Sequence, residues 1–234
     1  MKTIGIVGGI GPESTITYYR QLVAAYRERR PDGSYPPILI NSIDLKQMLD
    51  LIGAGQLAEV TDYLSGEVQR LARAGADLGL LAACTPHLVF DAIQRQSPIP
   101  LVSIVEAAFE TARAMGLQRV GLFGTRFTMQ GRFFPDVFAR AGIAVIAPAP
   151  DEQDYIHDKY LSELVNGLKN PETRDRLLAI ADRMTQREGI EGLILGGTEL
   201  PVVLNGDIKA SVPLLDTTQI HVAATVHRAW TSAG

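Results

Sequence analysis

A single cysteine, Cys84, stands in 234 residues, so no disulfide can close within the chain. That absence points to a reducing compartment, and the cytoplasm is the expected location. Positive charge is not in excess either: 22 Lys and Arg face 26 Asp and Glu, a net charge of −4. Without a basic stripe, nucleic acid is not an expected partner. No apolar run approaches the ~20 residues of a membrane span. The opening Met1-Lys2-Thr3 runs directly into an apolar stretch ending at Gly8-Gly9. It lacks the length and the small-residue cleavage pattern of a signal peptide, so neither secretion nor a membrane is expected. No Cys, His and Asp cluster has metal-ligand spacing, and no metal is expected. A phosphate-loop Gly-Lys-Ser/Thr is missing. Gly9-Ile10-Gly11 lacks the third glycine of a dinucleotide fingerprint, because Ser14 stands there.

What is present is alternation. Short apolar runs at Thr3–Val7, Pro37–Asn41, Leu78–Ala83, Leu101–Ser103, Arg119–Phe123, Ala144–Ala147, Gly192–Gly196 and Leu214–Leu215 are bounded by glycine or polar residues. Such runs are expected of parallel strands covered on both faces. Helical segments lie between them; the clearest sets Leu57, Val60, Leu64, Val68 and Leu71 on one face. The expected class is α/β, with parallel sheets flanked by helices.

The chain also repeats itself. Leu78-Gly-Leu-Leu-Ala-Ala-Cys-Thr85 aligns with Glu191-Gly-Leu-Ile-Leu-Gly-Gly-Thr198, and 15 residues separate Thr85 from Pro100 and Thr198 from Pro213. Ile4-Gly-Ile-Val-Gly8 matches Val120-Gly-Leu-Phe-Gly124. Three matches in the same order predict a duplication. The expected organisation is two pseudo-symmetric lobes with the active site at their interface. One lobe covers residues 1–105, with 211–234 packing back on it, and the other covers 106–210.

In open α/β sheets ligands bind beyond the carboxyl ends of the strands. Here those ends carry Gly8-Gly-Ile-Gly-Pro12, Asn41-Ser42, Cys84-Thr-Pro-His87, Gly124-Thr-Arg-Phe-Thr128 and Gly197-Thr-Glu199. Rich in Gly, Thr and Ser and poor in Lys and Arg, they suit a small carboxylate held by backbone N–H groups and helix N-termini. Simpler readings stand beside these. The glycine turn could be only a strand-to-helix connection with Pro12 at the first helical position. His87 could cap the next helix, His157 lies in a polar surface segment, and His221 and His227 fit structural roles on the last helix.

Taken together, Gly8-Gly-Ile-Gly-Pro-Glu-Ser-Thr15, Thr85-Pro-His87, Leu122-Phe-Gly-Thr-Arg-Phe-Thr128 and Leu195-Gly-Gly-Thr-Glu199 resemble the aspartate/glutamate racemase family over essentially the whole chain. The resemblance implies an enzyme that needs no pyridoxal phosphate or other cofactor, takes aspartate or glutamate, and forms a homodimer. In that family two cysteines exchange the α-proton on opposite faces of the substrate, one in Cys-Asn-Thr-x-His and one in Gly-Cys-Thr-Glu. Inversion through a planar carbanion needs such an acid and base. Carried over residue by residue, the two positions hold Ala83 and Gly197, with Cys84 one residue beyond the first. Cys84, Ala83, Gly197, Thr198 and Glu199 are therefore the catalytic candidates. Gly8, Gly9, Ile10, Ser42, Thr85, His87, Thr125, Thr128 and Thr198 are the substrate-binding ones. Cys84 reads equally as a reactive thiol or a small apolar residue in a turn. The expected function is a cofactor-independent racemase of aspartate or glutamate with atypical catalytic positions. The alternatives are a single-base lyase or decarboxylase of the same superfamily, and a catalytically silent dicarboxylate-binding homologue.

Overall fold

All eight apolar runs become strands, each within two residues of its expected span, and every pairing between them is parallel. A computed structural model describes residues 1–204 and 210–231. The described chain divides into two units, Met1–Ile104 together with the chain from His221 on, and Val105–Ile220. The expected lobe spans 106–210 and 211–234 include residues 205–209 and 232–234, which lie outside the described residues.

The first unit holds β1 (Ile4–Gly8), β2 (Ile38–Ser42), β3 (Leu78–Leu81) and β4 (Leu101–Val102) in the order β2-β1-β3-β4. Around them lie α1 (Pro12–Arg29), α2 (Leu45–Gly53), α3 (Leu57–Arg73) and α4 (Phe90–Gln96). The central β1 and β3 are buried throughout, as expected of strands covered on both faces. Alternation along β1 sends Val7 into a cluster with Met48, Leu64 and Val68, and Ile4 and Ile6 into another with Tyr18 and Leu22. Each such fully buried side chain contributes about 1.5–3 kcal/mol. Val60, Leu64, Val68 and Leu71 line the buried face of α3, but Leu57 is 43% exposed. It is the first residue of the helix and lies beyond the edge of the core, so the expected stripe is one residue too long.

The last helix, α11 (Thr217–Thr231), supplies Val222, Val226 and Ala229 to the Ile4–Ile6 cluster. Lys2 N–H donates to the Ala229 carbonyl (3.0 Å). His221 is buried in the same place: Nε2 lies 2.9 Å from the Val102 carbonyl and Nδ1 2.8 Å from the Tyr18 hydroxyl. A carbonyl only accepts, so Nε2 carries the proton and Nδ1 accepts from Tyr18.

The second unit holds β5 (Arg119–Gly124), β6 (Ala144–Ile146), β7 (Gly192–Gly196) and β8 (Leu214–Asp216) in the order β6-β5-β7-β8. Its helices are α5 (Ile104–Ala114), α6 (Arg126–Gln130), α7 (Phe133–Phe138), α8 (Pro150–Ser162), α9 (Pro171–Glu188) and α10 (Leu200–Leu204). Among the described residues, no helix is long and apolar enough to cross a membrane.

The two sheets thus share one strand order, and their registers locate equivalent residues. Gly5 pairs with Gly79, and Gly121 pairs with Leu193. Gly79 N–H donates to the Pro100 carbonyl, and Leu193 N–H to the Pro213 carbonyl. With Gly5 matched to Gly121 as the sequence repeat has it, Gly79 is therefore equivalent to Leu193. Ala83 is then equivalent to Gly197, and Cys84 to Thr198. Matching the third strands by residue identity, with Thr85 opposite Thr198, is one residue out of register. Identity misleads there because either alignment superposes apolar on apolar.

Candidate functional site

In the first unit the chain leaves β1 through Gly8 and Gly9. Gly9 has φ +79°, and a Cβ on it would lie 2.4 Å from the Ile43 carbonyl oxygen. Glycine is needed there both for the left-handed backbone and for the close approach of the β2 end. Ile43 N–H donates to the Gly8 carbonyl (2.9 Å), and Gly9 N–H to Thr15 Oγ1 (2.8 Å). Gly8, Gly9 and Ser42 are therefore neighbours, with Ser42 exposed and Ile10 buried.

The strand β3 ends at Leu81, two residues earlier than expected. Ala82 N–H still donates to the Val7 carbonyl, but the Ala82 carbonyl accepts from the Ser14 hydroxyl (2.7 Å). The chain then tightens into a 3₁₀ turn over Thr85–Val89, with Pro86 fixing φ near its start. Ala83, Cys84, Thr85 and His87 are all buried in this turn.

His87 has a definite structural partner. Ile104 N–H, at the start of α5, donates to its Nε2 (3.2 Å). Burial, reinforced by nearby His221, holds the imidazole pKa down at about 3, so the ring is neutral. Nε2 accepts, hence Nδ1 carries the proton; it lies near the Ala83 and Cys84 carbonyls without forming a hydrogen bond. The expected cap on the next helix, α4 (Phe90–Gln96), is not formed; His87 instead serves the first residue of α5, brought beside it by the fold. His157 likewise accepts at Nδ1 from Arg126 N–H (3.2 Å).

In the second unit Thr125 caps α6: its carbonyl accepts from Thr128 N–H, and the two threonine hydroxyls lie 3.2 Å apart. Thr128 is fully buried against the ends of β5 and β7, within 3.0 Å of where side chains on Gly124 and Gly196 would start. The Arg126 guanidinium turns to Asp154 (2.9 Å).

Beyond β7 the turn Gly197-Thr198-Glu199 carries a residue that the sequence reading missed. Tyr160, on α8, lies over Gly197. A Cβ at that position would be 2.4 Å from Tyr160 Cε2 and 2.7 Å from its hydroxyl. The Tyr160 hydroxyl donates to Glu199 Oε2, and the Thr198 hydroxyl donates to the same oxygen at 2.7 Å. All three side chains are buried. Burial raises the Glu199 pKa above the usual carboxylate value, and the two hydroxyls oppose part of that rise. Nothing in the local sequence signals Tyr160, which precedes the turn by a whole helix and strand. The only hint is Gly197 itself, a residue without a side chain in a buried turn.

A Gly197→Ala variant should lose about 1–3 kcal/mol, the usual cost of forcing a methyl into a filled core. Thermal unfolding of Gly197→Ala, Tyr160→Ala and the double variant checks this. If the two losses simply add, the ring does not press on position 197.

Among the described residues, no group of three or more His, Cys, Asp or Glu side chains is placed to hold a metal ion. The turns offer backbone N–H groups and threonine hydroxyls, together with one buried carboxylate.

Comparison with known proteins agrees with this architecture. Residues 7–225 match the family model Asp/Glu/Hydantoin racemase. The broad specificity amino-acid racemase RacX of Bacillus subtilis (strain 168) is 25% identical over 237 residues, covering 95% of this chain and 96% of its own. The structure of an aspartate racemase homologue from Pyrococcus horikoshii OT3 is 34% identical, with a TM-score of 0.85 over 98% of this chain and 99% of that one. The aspartate racemase of Picrophilus torridus shares the fold at 19% identity, with a TM-score of 0.80 over 98% of this chain and 94% of that one.

Proposed function

Because this chain belongs to the Asp/Glu/hydantoin racemase family, we propose that it racemises a small dicarboxylic amino acid, aspartate or glutamate, by removing and returning the α-proton without a cofactor. The observation that carries this reading is the equivalence of the two strand ends. Racemisation needs one group to take the α-proton and another to return a proton from the other side. The chain supplies two equivalent turns, Ala83-Cys84-Thr85 and Gly197-Thr198-Glu199, each at the carboxyl end of the third strand of its sheet. Backbone N–H groups at strand ends and helix starts are suited to a carboxylate gaining enediolate character. The broad-specificity amino-acid racemase of Bacillus subtilis named above favours the same chemistry.

Incubating the protein with L- and D-aspartate and L- and D-glutamate in D₂O tests it directly. Proton NMR should show loss of the α-proton, and chiral chromatography should show the opposite enantiomer, for at least one of the pairs. Measurable binding with no exchange from any of the four would reject the reading. A second reading, a dicarboxylate-binding protein without chemistry, would then stand. It is favoured by Ala83 and Gly197, which put no acid or base on the two equivalent positions.

A further inference from the structure

Gly197 is a buried glycine whose missing side chain is replaced, in space, by a phenol from another element. We propose that the Tyr160 hydroxyl, relayed through Glu199, is the proton-transfer group at the β7 strand end. This deepens the racemase reading and rests on it.

Three observations carry the assignment. The first is position. The hydroxyl lies 2.7 Å from where a Cβ at residue 197 would stand, so it is presented at the point from which a reactive side chain on that turn would extend. The second is the hydrogen bond to Glu199, which gives the phenol proton a place to go. The third is the shape of the cluster. A tyrosine needed only to fill space beside a glycine requires no carboxylate, and burying one is costly unless it is paired. Here a carboxylate is buried with two hydroxyls on a single oxygen, Oε2, and Arg183 and Arg187, both on α9, pair with Glu152 instead. Burial favours the protonated form of Glu199, which lets it hold a transferred proton.

The step balances within these groups. The Cα–H bond of the substrate breaks and its electron pair stays on the substrate as the enediolate. The proton bonds to Tyr160 Oη while the phenol's own proton passes to Glu199 Oε2. For inversion a different group on the other face returns a proton to the enediolate. With the opposite enantiomer, deprotonated by that other group, the Tyr160 path runs backwards: Glu199 gives its proton to Tyr160 as Tyr160 gives one to Cα. No oxidant, metal or further reactant enters. A hydroxyl coupled to a base in this way is the general arrangement for activating a weakly basic oxygen.

Tyr160→Phe keeps the ring over Gly197 and removes only the hydroxyl. It should lower racemisation by about 10²–10⁴-fold, the usual contribution of a positioned acid–base group, with KM changed by no more than about threefold, the hydroxyl being asked to act in the proton transfer and not in uniform binding. The more specific readout is hand by hand. Wash-out of the α-proton into D₂O should fall steeply for one enantiomer and survive for the other, whose proton is removed by a different group. Glu199→Gln should weaken the same enantiomer, which keeps the test open if either variant folds poorly. Racemisation at the wild-type rate in a folded Tyr160→Phe protein would overturn the assignment, and so would an equal loss for both enantiomers. Absence of exchange in the wild-type protein is a different result: it removes the racemase reading and the Tyr160 role together. Failure of Tyr160 alone leaves wild-type exchange intact.

Discussion

Acidification from pH 7.5 to pH 5 should remove about 4 kcal/mol of folding stability, about 2 kcal/mol for each of two buried imidazoles. His87 and His221 are both held neutral by burial, with pKa values of about 3 and about 4 against an ordinary 6.5. Each folded pKa lies below the unfolded one. Between those values the unfolded chain binds protons that the folded chain refuses, so stability is full above pH 6.5 and is lost as pH falls toward 4. The His157 imidazole, also lowered by burial, acts in the same sense to a smaller degree because it is partly exposed. Glu199 acts the other way, since its raised pKa makes acid relieve an unfavourable charge. Urea midpoints measured at pH 7.5 and pH 5 check the prediction. In His87→Gln, whose side-chain carbonyl reaches the position of Nε2 and can still accept from Ile104 N–H, the drop should be roughly halved. A pH-independent midpoint would mean that these rings are not the neutral, enclosed groups described above.

Gly9→Ala should cost about 2–5 kcal/mol, combining a left-handed backbone penalty of about 1–2 kcal/mol with about 1–3 kcal/mol for overpacking. The overpacking is severe in kind because the obstacles are backbone atoms: Ile43 O at 2.4 Å and Ile43 N at 2.6 Å from the added Cβ. Backbone cannot swing aside as a side-chain terminus can. Gly33 provides the comparison, with φ +84° and nothing within 4 Å of its added Cβ. Gly33→Ala should therefore show the backbone penalty alone. Equal losses in the two variants would show that the β1 and β2 ends are not locked together at this turn. The strand-end N–H of residue 9 is bonded to Thr15, so the same substitution should disturb any ligand held at this end of the sheet.

The contrast between Gly9 and Gly197 shows what the sequence made legible. Gly8-Gly9-Ile10-Gly11-Pro12 marks its own turn, because glycine, glycine and proline each restrict the backbone where they stand. The strands were equally plain, although β2 and β6 prove only partly covered: eight apolar runs of parallel-sheet length leave little choice of element, and the alternation of strand and helix leaves little choice of class. Position 197 is different. Its meaning depends on Tyr160, brought in from α8 by the packing of a whole helix, and no local pattern encodes that meeting. The repeat was visible too, but its register was not. Leu-Gly-Leu-Leu and Gly-Leu-Ile-Leu slide over one another without penalty in hydropathy. Only the hydrogen-bonded ladders, Gly5 with Gly79 and Gly121 with Leu193, determine the match. Leu57 failed for a related reason, since helical periodicity states which face is apolar and not where the core stops.

The return of α11 to the first sheet bears on how the chain is made. Residues 105–220 form one uninterrupted stretch, and the β5–β8 sheet draws all its strands from it. The first unit is interrupted: Ile4, Ile6, Tyr18 and Leu22 share a core with Val222, Val226 and Ala229, residues translated after the entire second unit. During synthesis the earlier sheet therefore waits with one flank uncovered until α11, which directly follows β8, has been made. The nascent chain carries an exposed apolar surface until its last helix leaves the ribosome, and that interval is when it most needs shielding from aggregation.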